Sequence, residues 1–581
     1  MQAEINIPYA VADFATLRGR GYYYVDKTRH IPLLERYNAP VFLRPRRFGK
    51  SLLVSTLAYY YDINAADRFD TLFGGTYIGE HPTGERNKYM VLRFNFSQLV
   101  MADNMEGLEQ NFNRLASSPI RGFVRGEARY TRFFEGFHFT NDSDASNSLS
   151  EILDWVRDNN CPPLYILIDE YDNFTNQLLT TYQDPLYENV TTGDSFLRTF
   201  FKTIKSGIDG GTIRCCFCTG VLPVTMDDLT SGYNIAQILT LEPDFVEMLG
   251  FNHEETATYL RYVIDKYGER KGNFDELWEL IVSNYDGYRF LPDAPLLFNS
   301  TILSYFFFKY AVSHGGIPDE MIDENLRTDI GWIRRLTVTQ DNAREMLDTL
   351  LVDNELPYSA SDLRSKFNKR KFFDKRFYPV SLYYLGMTTL ESAYRMRLPN
   401  LTMRSIYMDY YNEMNHIEAR FNAISPAFEA FTQSGGKLED TVMSFFREYL
   451  GQFPAQAFDK INENFVRCAF YALCYTHLSP YYTFAMEQNL PSGRADLVMT
   501  GIPGTPYYAD CRVLKFKYFK AKEAARIKAL ATPDAEDAAQ ARAYADDILR
   551  QFPHYKMRTY VVYIAAGKAC RVWETTPARL G

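Results

Sequence analysis

The apolar residues of the first third of the chain fall into short blocks. Ala39-Pro40-Val41-Phe42-Leu43 is one, Pro163 to Ile168 the second and Thr212 to Cys218 the third. The second, a strand-length run with no polar break, reads as a central strand of a parallel sheet, covered on both faces; the other two read as strands, the third carrying Arg214. Each block ends in polar chemistry. The first runs into Arg44-Pro45-Arg46-Arg47-Phe48-Gly49-Lys50-Ser51, followed by an apolar helix at Leu52 to Tyr61. The second runs into Asp169-Glu170-Tyr171-Asp172, the third into Thr219-Gly220. Strand ends of this kind are where open α/β sheets bind ligands.

Further along, the period changes. Phe251 to Tyr267 and Leu277 to Tyr285 have helical spacing, and short helices are expected at 343–351 and 360–367. Tyr378 to Leu390 reads as a helix, a glycine stop and a strand, which suits a small winged-helix unit. The last part alternates again. An apolar helix is predicted at Phe465 to Tyr475, and strands at Tyr481 to Met486, Gly493 to Met499 and Ala509 to Tyr518. A helix follows at Asp534 to Leu549.

With 581 residues the chain should hold three or four domains. Its 46% apolar and 23% charged content is that of an ordinary globular protein. The net charge of −9 argues against a uniformly basic nucleic-acid coat, but not against a local basic groove. The candidate groove is Arg364 to Arg376, a basic stretch with interleaved phenylalanines. It could meet nucleic-acid phosphates with some base stacking, or be a solvated face. Of the eight cysteines, Cys215, Cys216 and Cys218 read as buried thiols, and one CxxC without a second pair does not make a zinc site. No apolar run reaches the roughly 18 to 20 residues that span a bilayer. The start of the chain lacks signal architecture. A cytoplasmic protein without membrane partners is expected.

A strand, a loop ending in Gly-Lys-Ser and a helix make the context of a phosphate-binding loop. Backbone N–H groups of Arg47, Phe48 and Gly49 would face the phosphates of ATP. Lys50 would reach the β and γ phosphates, and the Ser51 hydroxyl would ligate Mg²⁺. Asp169 can complete the Mg²⁺ shell, and Glu170 can polarise the attacking water as general base. Thr219 is the candidate γ-phosphate sensor, or simply a turn residue. Arg289 could reach back to the nucleotide, or form an ordinary ion pair. The loop departs from the general pattern at Arg44, where glycine is expected.

These segments resemble a bacterial AAA-ATPase-like family with a C-terminal PD-(D/E)XK nuclease-like domain. The matching stretches are Ile7-Pro8 with Asp13-Phe14, Tyr22 to Thr28, Arg44 to Ser51 and Ile168 to Asp172. Thr219 to Pro223, Leu249-Gly250-Phe251 and Tyr285 to Phe290 continue the series. The resemblance implies an α/β chain: an N-terminal P-loop ATPase with a parallel sheet, a helical and winged-helix middle, and a restriction-endonuclease-like α/β domain. The expected bounds are 1–250, 251–400, a helical connector at 401–454, and 455–581. It implies ATP and Mg²⁺, and DNA as a candidate partner of the C-terminal domain.

In the nuclease-like part, Glu487, Asp496, Lys517, Gln540 and Tyr544 match the family's site pattern residue by residue. There the aspartate and the glutamate of E-x-K chelate Mg²⁺, and the lysine supports the attacking water. Here the tripeptide is Lys515-Phe516-Lys517, so an ammonium stands where a carboxylate is expected. Asp510 has the wrong spacing to replace it. The expectation is therefore an ATP-hydrolysing switch with a degenerate nuclease domain that retains some grip on nucleic acid. The alternatives are an active ATP-regulated Mg²⁺-dependent nuclease and a non-enzymatic nucleotide-bound scaffold.

Overall fold

The computed structural model describes residues 5–575, except 126–129, 230–231, 269–273, 319–320, 322–329, 339–348, 352–353, 415–423, 434–436 and 503–504. Most of the short helix expected at 343–351 therefore lies outside the described residues. The chain forms two compact units. One comprises residues 1–256, 288–304 and 357–396; the other comprises 257–287, 305–356 and 397–581.

The first unit is built on the three apolar blocks. They become β1 (Pro40–Leu43), β3 (Leu164–Asp169) and β4 (Ile213–Gly220), joined by β2 (Met90–Asn95) and the short β5 (Gln237–Ile238). The order is β2-β3-β4-β1-β5, with every pair parallel. All six residues of β3 are buried, as an unbroken apolar run requires of a strand covered on both faces. Phe42 lies opposite Thr219 and Leu43 opposite Gly220, so β4 stands between the loop that follows β1 and the acids that follow β3.

Helix α1 (Lys50–Tyr61) leaves the loop and packs on the sheet, where Tyr61 stacks on Tyr165 with ring centroids 4.1 Å apart. In the last sequence segment of the unit, the expected helix, glycine stop and strand appear as α2 (Tyr378–Tyr384), Gly386 and β7 (Thr389–Leu390). Pro379 opens α2 at a position where proline costs nothing. With β6 (Leu356–Pro357) and β8 (Arg395–Arg397), β7 forms a three-stranded sheet in the order β6-β8-β7.

The second unit centres on a mixed sheet of β9 (Tyr482–Leu490), β10 (Gly493–Gly501), β11 (Asp510–Phe519), β12 (Lys556–Ala565) and β13 (Ala569–Glu574). They are ordered β13-β12-β11-β10-β9. Only β11 and β12 run parallel. The helices expected here are α3 (Glu463–Leu478) and α4 (Ala535–Gln551). Ala541 and Ala545 let α4 approach closely, and Tyr544 and Ile548 complete the core beneath it. Strand β9 is longer than its apolar pattern suggested. The tight return at Gly493 (φ 135°) keeps it paired to Leu490, so Glu487 lies within the strand rather than after it.

Candidate functional site

The loop after β1 is shaped by two residues in the left-handed region, Arg47 (φ 72°) and Gly49 (φ 92°). Arg47 in that conformation stores about 1 kcal/mol of strain, a cost that tends to persist only where surrounding structure enforces it. Enforcement is visible. Thr301 donates its backbone N–H to the Arg47 carbonyl at 3.0 Å, and the Asn299 side chain donates to the Arg46 carbonyl at 3.1 Å. Phe48 is buried edge-on against Tyr288 and Phe290, so only its backbone can serve a ligand. A Cβ on Gly386 would lie 2.5 Å from the Pro45 Cβ, and Gly386 itself has φ 74°.

Arg44 is no phosphate ligand. It is 1% exposed, and its guanidinium donates to the carbonyls of Leu43, Thr240, Phe245 and Val246 at 3.0 to 3.3 Å. It also lies over the rings of Phe42 (4.4 Å) and Phe290 (3.9 Å). Burial among these dipoles brings it down to about 10, which leaves it cationic at neutral pH. Glycine is dispensable at this position because its φ is not positive. The arginine is used to clamp the loop's first residue to the chain that follows β5.

Lys50 opens α1 and folds back, its Nζ donating to the Arg44 carbonyl (2.9 Å) and the Pro45 carbonyl (3.0 Å). Burial lowers its pKa, and the charges of Glu170, Asp169 and Asp172 oppose that fall. Ser51 follows in the first turn of α1, half-buried.

On the facing strands, the Thr219 hydroxyl donates to Asp169 Oδ1 at 2.6 Å. The candidate sensor and the candidate Mg²⁺ carboxylate are thus one hydrogen-bonded pair. Glu170 leaves β3 with φ 51°, a left-handed turn that redirects its side chain. Its pKa is raised, chiefly by burial, with Lys50 opposing and Asp169 and Asp172 adding. Asp172, to which the sequence assigns no role, is buried and holds the end of β4. It accepts from the Val221 and Leu222 amides (3.0 and 2.7 Å) and from Asn176 (2.7 Å). A hydroxyl and a carboxylate suit Mg²⁺, which prefers hard oxygens and retains waters and phosphate oxygens. The residues Ser51 and Asp169 fit that ion.

The two other candidates of this unit face elsewhere. Arg289 Nη1 donates to the Glu391 carbonyl at 3.2 Å. In the basic stretch, Lys369 pairs with Asp184 (3.1 Å) and Glu188 (2.8 Å), and Arg376 with Asp362 (3.0 Å). Phe367, Phe372 and Phe377 are buried core residues and cannot stack on bases. Arg364, Lys366 and Arg370 are exposed.

In the second unit, Asp496 on β10 is 3% exposed and fully engaged by cations and donors. Its Oδ1 meets Arg467 Nη1 at 2.8 Å; its Oδ2 accepts the Phe516 amide at 2.7 Å and faces Lys515 Nζ at 3.8 Å. Arg467 lies one turn after Glu463 on α3, so both share a face. Glu463, absent from the expected set, is raised by burial and by the charge of Asp496, with Arg467 and Lys515 opposing. Lys517 is drawn to Asp537 at 2.8 Å, which raises it. Tyr544 and Gln540 lie against the return at Gly493, whose Cβ would be 3.3 Å from the tyrosine hydroxyl and 3.8 Å from the amide nitrogen. The side chain of Glu487 lies outside the described residues. Asp510 pairs with Arg512 (2.7 Å) at the far end of β11.

Among the described side chains Asp496 does not suit a divalent ion, because Arg467 and Lys515 already neutralise it. Among the described residues, no group of three His, Cys, Asp or Glu side chains is placed to hold a metal. Nor is any described helix long and apolar enough to cross a membrane.

Comparison with known proteins matches both halves of this geometry. Residues 8–230 match the family described as predicted AAA-ATPase, and residues 461–574 match the PD-(D/E)XK nuclease superfamily. A protein of Azotobacter chroococcum mcd 1, named as an uncharacterized protein in the vnfD 5′ region, is 25% identical over 260 residues. That alignment covers 43% of this chain and 44% of the relative, so it spans less than half of either.

Proposed function

We propose that this chain, whose residues 8–230 belong to the predicted AAA-ATPase family and whose residues 461–574 belong to the PD-(D/E)XK nuclease superfamily, is an ATP-hydrolysing switch whose nuclease-like domain does not cut. The observation that carries the ATP reading is the convergence of Lys50, the Asp169–Thr219 pair and the turned-out Glu170 at the carboxyl ends of neighbouring parallel strands.

In this reading Lys50 exchanges the Arg44 and Pro45 carbonyls for phosphate oxygens, which suits an ammonium held by neutral acceptors. Backbone N–H groups of Arg47, Phe48 and Gly49 at the start of α1 cradle the phosphates. Ser51 and Asp169 hold Mg²⁺, which when bound neutralises charge on the phosphates. Glu170 takes the proton of the attacking water, and Thr219 fixes the Asp169 carboxylate and reports on the γ phosphate. The division into 1–250, 251–400 with its winged-helix-like part, 401–454 and 455–581 belongs to the same proposal. So do the cytoplasmic setting and DNA as partner of the last domain and of the exposed cations in 364–376.

The active-nuclease alternative is opposed by the Arg467–Asp496–Lys515 cluster. The test is ATP binding by fluorescence or calorimetry with wild type and Lys50→Ala. Wild type should bind and the variant should lose at least about tenfold in affinity, the worth of a charge-assisted contact. Equal binding by both would sink the proposal.

A further inference from the structure

The second unit encloses a cavity of about 100 Å³, far more than one water molecule needs. Helix Phe274–Tyr285 forms one wall, β9 and β10 another, and the end of α4 a third. Phe484, Ile548 and Phe552 give it apolar surface.

Its polar lining carries two carboxylates and, among the described residues, no lysine or arginine. Glu276 and Glu279 lie three residues apart on one helix face, Glu276 half-buried and Glu279 more exposed. Burial pushes both carboxyls up, and the charge of Asp275 adds to it in each. Among the described residues no lysine or arginine pairs with either; the basic group acting on Glu276 is the His554 ring. Tyr555 donates to Glu276 only at 3.4 Å. Gln488 gives an amide N–H to Glu279 at 3.3 Å, while its Oε1 is buried without a partner. Tyr310 is 1% exposed, lines the cavity, and has no partner for its hydroxyl.

A buried polar atom without a partner costs about 1–3 kcal/mol, so the two at this cavity, Gln488 Oε1 and the Tyr310 hydroxyl, mark a missing group. An anion would meet two carboxylates, and a neutral alcohol brings a single donor. A cation with several N–H groups satisfies the acceptors, and aromatic walls favour its charge and its carbon skeleton together. We infer that this cavity binds a small organic cation, an ammonium or guanidinium on an apolar body. Its N–H groups are taken by Glu276, Glu279, Gln488 Oε1 and Tyr310, and its skeleton lies against Phe484 and Phe552. The inference is independent of the ATP site.

The test is calorimetric titration of the full chain with benzylamine and with agmatine, using benzyl alcohol as the neutral control. Saturable binding of at least one cation, with none of the alcohol, is expected. Glu276→Gln combined with Glu279→Gln should weaken it about tenfold or more. Tyr310→Phe, which removes one oxygen and no packing, should weaken it several-fold without lowering the thermal midpoint, and decides the matter if the double variant does not fold. Cations that bind no better than benzyl alcohol would overturn the inference, as would binding that Tyr310→Phe leaves unchanged.

Discussion

Lys515→Glu puts the nuclease-like centre to its sharpest test. In the native protein the Lys515 ammonium stands 3.8 Å from Asp496, and both are nearly buried. At an effective dielectric of about 20, unit charges about 4 Å apart interact by about 4 kcal/mol. A glutamate at 515 turns that attraction into a repulsion, which the remaining Arg467 at 2.8 Å partly offsets. A net loss of about 2–4 kcal/mol follows, or about 5–10 °C in a domain of this size. The variant also supplies the carboxylate that a divalent site beside Asp496 lacks. Thermal denaturation is therefore run in EDTA, in Mg²⁺ and in Mn²⁺, all without nucleotide. The variant should melt lower in EDTA and recover part of the loss in Mn²⁺, while Asp496→Asn should change nothing in the metal response of wild type. A wild-type protein stabilised by metal through Asp496, or nicking plasmid DNA in an Asp496-dependent way, would refute the reasoning.

Three further outcomes follow from the first unit. Arg44→Ala orphans carbonyls of Leu43, Thr240, Phe245 and Val246, so it should cost about 3 kcal/mol in denaturant unfolding, and Arg44→Lys should not rescue it because a point ammonium cannot span that set. Glu170 has a raised pKa, so the acid limb of kcat/KM for ATP should fall as pH drops through a value above the roughly 4.3 of a free glutamate; a limb below that value contradicts the assignment. Gly386→Ala meets Pro45 at 2.5 Å and a left-handed φ, and should weaken ATP binding measurably while costing about 1–2 kcal/mol in stability.

What was readable in the sequence followed from local patterning. The apolar blocks read as strands, and Gly49-Lys50-Ser51, Asp169-Glu170 and Thr219 stand at or just beyond their ends. What was not readable depends on residues far apart in the chain. Arg44 looked like a defect in the loop because its acceptors at Thr240, Phe245 and Val246 are about two hundred positions away. Asn299 and Thr301, which brace the loop, gave only the ordinary signature of a helix start. Arg289 looked well placed for a nucleotide, but the carbonyl of Glu391 claims it. The stacking expected of Phe367 and Phe372 failed because interleaved aromatics in a basic stretch are as readily core as surface. The sequence signal for Glu463 and Arg467 is a charged i, i+4 pair at the start of an otherwise largely apolar helix.

The central claim is that this chain hydrolyses ATP through Glu170. Phosphate release by wild type and Glu170→Gln, with and without DNA and with ATP binding measured on the same samples, tests it most directly. The account predicts turnover by wild type, and a variant that still binds ATP while release falls at least about a hundredfold. A variant that turns over at the wild-type rate, or a wild type that binds ATP and releases no phosphate under any of these conditions, would contradict it.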